Sequence, residues 1–358
     1  MKMFQLKPAF TAGAVHNGII YFSDSFINAL YAADIASGNC RYLGMFPGEQ
    51  AETRLIHSKA FVYSKNIIVF APGKGKYIHL YDVTRGELNR IEFDCGDDSS
   101  FSSAVLSGDE LWLLPSDIAC PVISCNIATG MIESYDLFEG VRRNNNNSGV
   151  GVRYTCMGEK VFAAIIYTSV MVEFNLGKKT STVYDLPFVK IYQIYFSDKE
   201  RWICTDNEIY RCLNGEDGYT KMDTEEQIVT PVLFWDERQG DMYAASSLGG
   251  CMYVLREDKF VKISDIRLEK CPTYTPGYFY GGFITEGEGI LICPPYGKDA
   301  MSIRNGKIKW LPFHVENGEA VLFDEKKAFF PEDDNMLYEG GPVRISDYIP
   351  LFRRCHET

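Results

Sequence analysis

Three stretches of this sequence decide its fold: Asp34-Ile35-Ala36-Ser37-Gly38, Asp82-Val83-Thr84-Arg85-Gly86 and Asn126-Ile127-Ala128-Thr129-Gly130. Each places Asp or Asn four residues ahead of a glycine. The side-chain oxygen can cap the turn by accepting backbone N–H groups just downstream, and glycine takes the left-handed conformation that other residues resist. Such a segment predicts a hairpin loop of three to five residues. A fourth copy, Asn175-Leu176-Gly177-Lys178-Lys179, keeps the capping residue with the glycine displaced, and Asn305-Gly306 is the shorter two-residue hairpin signal.

Outward from these turns, one plan repeats. Ahead of them lie short apolar runs such as Asn17-Gly18-Ile19-Ile20-Tyr21-Phe22, Lys65-Asn66-Ile67-Ile68-Val69-Phe70 and Asp109-Glu110-Leu111-Trp112-Leu113-Leu114. With Tyr21, Val69, Trp112, Phe162, Trp202, Tyr243, Leu291 and Phe329 as markers of that slot, the spacing averages 44 residues. Eight such units nearly exhaust the 358 residues and leave no block for a second domain, so one domain over 1–358 is expected. A helical solenoid of similar period is the rival. It fails because the apolar runs are short, rich in β-branched and aromatic residues, and bounded by turn residues rather than continuing at helical spacing.

On these repeats the chain resembles the β-propeller superfamily over essentially its full length. It lacks the recurring Gly-His and Trp-Asp pairs of WD40 blades. It also lacks the double-glycine strand of kelch blades, since Gly249-Gly250, Gly281-Gly282 and Gly340-Gly341 fall at different places in their units. The expectation is an all-β single propeller of eight four-stranded blades, with seven as the alternative because the fifth and eighth units are compressed. Phe10–His16 is expected as the first inner strand and residues 345–352 as the last outer one, with residues 3–6 available as an added edge strand.

Composition narrows function mainly by exclusion. With 36 Lys+Arg against 48 Asp+Glu the net charge is −12, which disfavours nucleic acid and anionic membranes, both of which need clustered cations. The longest apolar stretch, residues 161–167, is far below the roughly 20 residues of a spanning helix. The first residues are too polar for a signal-peptide core. Eleven scattered cysteines without any Cys-x-x-Cys read as free thiols in a reducing compartment, so a cytoplasmic location without cofactor or metal is expected. The Asp94/Asp97/Asp98, Asp223/Glu225/Glu226 and Glu332/Asp333/Asp334 groups lack the alternating spacing of a calcium loop.

In a propeller the loops that join blades share one face with the loops between second and third strands, and that face is where sites are expected. His57 and Arg54 fall there, at the start of an inner strand. His314 falls in the loop before the last unit; if both histidines reach the channel they could form an acid/base pair with Glu319, which makes His57, His314 and Glu319 the catalytic candidates. Arg142 and Arg143 open the tract Arg142-Arg143-Asn144-Asn145-Asn146-Asn147-Ser148-Gly149, a basic, hydrogen-bonding finger suited to a carboxylate, phosphate or sugar. Trp235 is a candidate stacking platform. Pro72, Pro115, Pro294 and Pro331 recur where strands should end. There is no Gly-x-Ser-x-Gly, phosphate-binding loop or His-Glu-x-x-His. The leading expectation is a non-enzymatic binding module for a protein, peptide or carbohydrate. The alternative is a channel-mouth lyase or hydrolase acting on a polar or anionic substrate.

Overall fold

The computed structural model describes residues 10–94 (except 26, 51, 52 and 54), 99–144, 150–265 (except 198, 217, 237, 238 and 247–250) and the segments 283–286, 289–292, 300–304, 307–311 and 314–315. The repeated turns form as their chemistry dictates. Ser37 N–H donates to Asp34 Oδ1 at 2.7 Å, and Gly38, at φ 78°, donates to the Asp34 carbonyl at 2.8 Å. Gly86 and Gly130 close the same bond to Asp82 and Asn126. In the fourth copy the displaced glycine leaves Lys179 in the closing position, where it adopts φ 56° and donates to the Asn175 carbonyl at 2.8 Å. The cap is strong enough to hold a lysine in a conformation that favours glycine.

These turns join strands into seven antiparallel four-stranded sheets among the described residues. The first sheet is Phe10–His16, Ile19–Asp24, Leu30–Asp34 and Asn39–Gly44. The second is His57–Val62, Ile67–Pro72, Tyr77–Asp82 and Glu87–Glu92; the third is Phe101–Ser107, Glu110–Pro115, Val122–Asn126 and Ile132–Tyr135. The fourth is Val152–Met157, Lys160–Ile165, Val170–Asn175 and Thr180–Asp185; the fifth is Gln193–Phe196, Glu200–Cys204, Ile209–Leu213 and Thr220–Lys221. The sixth is Pro231–Asp236, Asp241–Ser246, Cys251–Arg256 and Lys259–Asp265, and the seventh is Phe283–Glu286, Gly289–Ile292, Ala300–Arg304 and Lys307–Leu311. Two short segments add to outer edges in parallel: Asp223–Thr224 beside Lys259–Asp265, and His314–Val315 beside Asn39–Gly44. Pro72 and Pro115 end their strands, as a residue without an N–H should. The strands expected at residues 3–6 and 345–352, and with them an eighth sheet, lie outside the described residues.

Contacts divide the chain into two compact units, one of residues 1–92, 269–304 and 308–358, the other of residues 93–268 and 305–307. Within the first, Phe10–His16 lies against both His57–Val62 and Phe283–Glu286. Within the second, the first strands of the third to sixth sheets follow one another side by side. Side-chain bonds reinforce this order: Ser102 Oγ donates to the Val152 carbonyl, Thr155 Oγ1 to that of Ile194, and Gln193 clasps Leu233 through both its carbonyl and N–H.

Second strands are apolar without alternation because both sheet faces are covered. Val161, Ala163 and Ile165 join the cluster that holds Trp112 and Phe174, while Phe162 and Ala164 join Ile194, Phe196 and Ile203 on the other side. Trp202 does the same between fifth and sixth sheets, its ring 6.0 Å from that of Phe260. Each buried Val, Ile or Phe among these contributes about 1.5–3 kcal/mol. Fourth strands are different: Thr180–Asp185 is exposed at every position, as an outer edge facing water should be.

Candidate functional site: a buried histidine relay and an open cleft

In the first unit, sequence places His57 at the start of the first strand of its sheet and His79 on the third. The second strand between them pairs Pro72 with His57 and Phe70 with His79. Strand alternation turns both imidazoles to the same face, where they meet: His57 Nε2 lies 2.8 Å from His79 Nδ1. His57 Nδ1 lies 2.9 Å from Ser23 Oγ, and His79 Nε2 lies 3.0 Å from the Pro47 carbonyl.

The carbonyl fixes the direction of the chain. It can only accept, so His79 Nε2–H donates to it and the neutral ring accepts at Nδ1; His57 Nε2–H donates there, and Ser23 Oγ–H donates to His57 Nδ1. Burial holds the His57 imidazole well below the usual histidine range, with His79 adding to the effect. Burial likewise lowers His79 to about 4, against a rise from the Pro47 carbonyl, while Arg90 lowers it further.

The loops over this relay are seated by further polar contacts. Asn28 Nδ2 donates to the Phe46 and Glu49 carbonyls at 3.0 Å each, and its Oδ1 accepts Phe46 N–H at 2.7 Å. Glu49 Oε1 accepts Lys76 N–H at 2.6 Å, and burial raises that carboxyl despite the bonds. Gly73 N–H donates to the Ile56 carbonyl at 2.6 Å, and a Cβ on Gly73 would stand 2.6 Å from the Leu55 carbonyl oxygen. The order Ser–His–His is one that activates a nucleophile. Here Ser23, His57 and His79 are each 0% exposed, so no substrate reaches the hydroxyl and the relay serves as a staple between first and second sheets.

His57 was expected to reach a channel; instead it is wholly buried, because His79 and Ser23 supply the partners that a lone histidine would have sought in water. Arg142 sits in a short helix, Glu139–Asn144, drawn inward by buried Phe138 and Val141. Its guanidinium donates to the Ile118 carbonyl at 2.5 Å and to Asp136, so it ties two loops together rather than projecting as a finger. Arg143 shares that helix, and its side chain lies outside the described residues. Trp235 is half-buried against the cluster of Trp202, Met242 and Phe260, which makes it packing rather than a platform. His314 is placed by its backbone alone, paired with Asn39. Arg54 and Glu319 lie outside the described residues.

The open site is in the second unit, and none of its residues was singled out in the sequence. Tyr167, Lys190, Asp206, Asn207, Val229 and Thr230 line a cleft of about 480 Å³. They come from two second-to-third-strand loops and the two linkers that follow them. Backbone bonds hold these segments to one another: Tyr167 N–H donates to the Ile191 carbonyl at 2.8 Å, and Thr230 N–H to that of Asp206 at 2.6 Å. Tyr167, Lys190 and Thr230 all take positive φ, at 62°, 58° and 44°. Left-handed backbone at three non-glycine residues costs on the order of 1–3 kcal/mol each and needs a surrounding structure that enforces it.

Lys190 Nζ stands 3.6 Å from Asp206 Oδ2, while Asp206 Oδ1 has no hydrogen-bond partner among the described residues. The exposed Tyr167 ring lies 6.3 Å from that of Tyr192, which the Arg153 guanidinium covers at 4.2 Å. Burial, then the nearby Asp206 carboxylate, raises the Tyr167 phenol. The signal available in the sequence was placement alone: Asp206-Asn207 follows a second strand, and Lys190 ends a linker. Among the described residues no group of three or more His, Cys, Asp or Glu is arranged to hold a metal ion.

Comparison with solved structures gives the class. The chain is similar to virginiamycin B lyase from Staphylococcus aureus, with a TM-score of 0.60 and 11% identity over 81% of this chain and 94% of that one. It is equally similar to a streptogramin B lyase, at 0.60 and 12% over 82% and 93%. The extracellular domain of a one-component system protein from B. thetaiotaomicron matches at 0.56 and 13%, over 86% of this chain and 47% of that one. At such identities the likeness is one of fold, and the fold is propeller-type. No protein-family model matches the chain. No curated protein matches it in sequence.

Proposed function

We propose that this protein is a binding module whose propeller scaffold presents loops to a protein, peptide or carbohydrate ligand, with the Tyr167–Lys190–Asp206 cleft as the receiving site. The cleft carries the reading: it is open, lined by chemically varied side chains, and held in shape by backbone bonds that need no ligand. A preformed cleft with a few placed polar groups is the usual form of a small-molecule site. The net charge of −12 makes nucleic acid and anionic membranes poor partners.

The scaffold itself is read as a single propeller over 1–358. Seven blades is the count supported by the direct contact of Phe283–Glu286 with Phe10–His16, since an eighth blade built from residues 316–358 would have to stand between them. Supporting the same count, Asp223–Thr224 and His314–Val315 both follow one sheet and add in parallel to the outer strand of another.

The second reading is a lyase or hydrolase acting on a polar or anionic substrate at the same face. Its support is that two fold neighbours are lyases, and fold alone does not carry function. Peptide and glycan arrays probed with the purified protein separate the two. Retention of one ligand class, lost on Lys190→Ala, is expected. Retention of nothing, together with turnover of a small polar metabolite, would replace the binding reading with the enzymatic one.

A further inference from the structure

We infer that the ligand of the Tyr167–Lys190–Asp206 cleft is a neutral sugar, an inference that rests on the binding reading above and narrows it. Tyr167 is 55% exposed, the most exposed aromatic side chain among the described residues. Its left-handed backbone and its N–H bond to the Ile191 carbonyl fix the point on the cleft rim from which the ring projects. An aromatic face held at a cleft wall matches the C–H face of a pyranose, which is the apolar side of an otherwise polar molecule.

The polar wall opposite selects by charge and by pattern. Lys190 and Asp206 are 3.6 Å apart and of opposite sign, and the other four lining residues are uncharged, so the wall is neutral as a whole. An anion entering beside Lys190 meets the Asp206 carboxylate, and a cation beside Asp206 meets the ammonium. Vicinal hydroxyls meet neither objection. Each can accept from Lys190 and donate to Asp206, whose carboxylate is 32% exposed and presents Oδ2 beside the ammonium. Asn207, exposed on the same loop, adds an amide that both donates and accepts. An apolar peptide side chain would find only Val229 and the Tyr167 ring.

Saturation-transfer NMR with glucose, galactose, mannose and N-acetylglucosamine tests this. At least one sugar is expected to receive saturation, strongest at its ring C–H protons, with a millimolar Kd. Tyr167→Ala is expected to weaken that binding at least tenfold. Asn207→Ala, at an exposed position where folding is not at stake, is expected to weaken it several-fold, and the unfolding midpoint of each variant serves as the control. Sugar binding that survives both substitutions would overturn the site. Binding of a charged peptide but of no sugar, abolished by Tyr167→Ala, would overturn the ligand class and leave the binding module standing. Binding of neither would overturn both.

Discussion

The histidine relay and the cleft are built at the same kind of place, yet one is sealed and the other open. Both lie where a linker runs into the first strand of a sheet and meets the loop after a second strand. Leu55 and Lys190 even share left-handed backbone just ahead of those strands, at φ 52° and 58°. The difference is the loop that meets the linker. Gly73 and Gly75 let their loop come down until its N–H groups bond Ile56, where any Cβ would collide with a backbone oxygen. In the corresponding loop of the fifth sheet stand Thr205, Asp206 and Asn207, none of them glycine, and Asp206 and Asn207 line an open cleft. Backbone strain thus recurs as a device of the fold, and function follows from what the neighbouring loop leaves exposed.

Substituting the relay should have the largest effect. His57→Ala removes a buried ring and strands Ser23 Oγ and His79 Nδ1, with an expected loss of about 3–4 kcal/mol in urea unfolding. Ligand binding in the second unit should not change in the fraction that remains folded. An undiminished stability would show that the relay is not a staple.

Next in size is the response to acid. His79 titrates at about 4 in the folded chain and near 6.5 when unfolded, and His57 is lowered as well. Groups held neutral by folding leave stability intact above pH 6.5. Below it the unfolded chain binds protons first, and stability falls until the folded pKa is passed. His79 alone accounts for on the order of 3 kcal/mol between pH 6.5 and 4. Chemical denaturation across that range should show the decline, and a His57→Leu/His79→Leu double variant should flatten it.

Gly73→Ala comes third. With a Cβ 2.6 Å from the Leu55 carbonyl oxygen, the loop must shift, at an expected cost of about 1–3 kcal/mol in the same assay. The smallest effect is opposite in sign. Lys190→Gly relieves left-handed backbone at an exposed residue and should stabilise by up to about 1 kcal/mol, while weakening sugar binding several-fold by nuclear magnetic resonance titration.

The sheets were legible because their signals are local. Asp34, Asp82 and Asn126 announce their own turns, and the unbroken apolar run of Lys160–Ile165 reports that both faces are covered. Even Lys179 followed, since Asn175 supplied the cap. The sites were not legible, because they depend on which distant loops meet. His57 and His79 lie 22 residues apart, and nothing local shows that alternation turns both to one face. Arg142 read as a free cation because Phe138 and Val141, which bury the helix that carries it, gave no hint of depth beside a tract with four consecutive asparagines. Tyr167, Lys190 and Asp206 converge from three segments, and only the fold assembles them.

Equilibrium urea unfolding of His57→Ala beside Lys190→Gly tests most directly the claim that one junction is sealed for stability and the other left open for a ligand. Displacements of opposite sign are predicted, with the histidine variant less stable by several kcal/mol and the glycine variant equal to the wild type or slightly above it. A relay variant as stable as the wild type, or a glycine variant that loses more than about 1 kcal/mol, would contradict it.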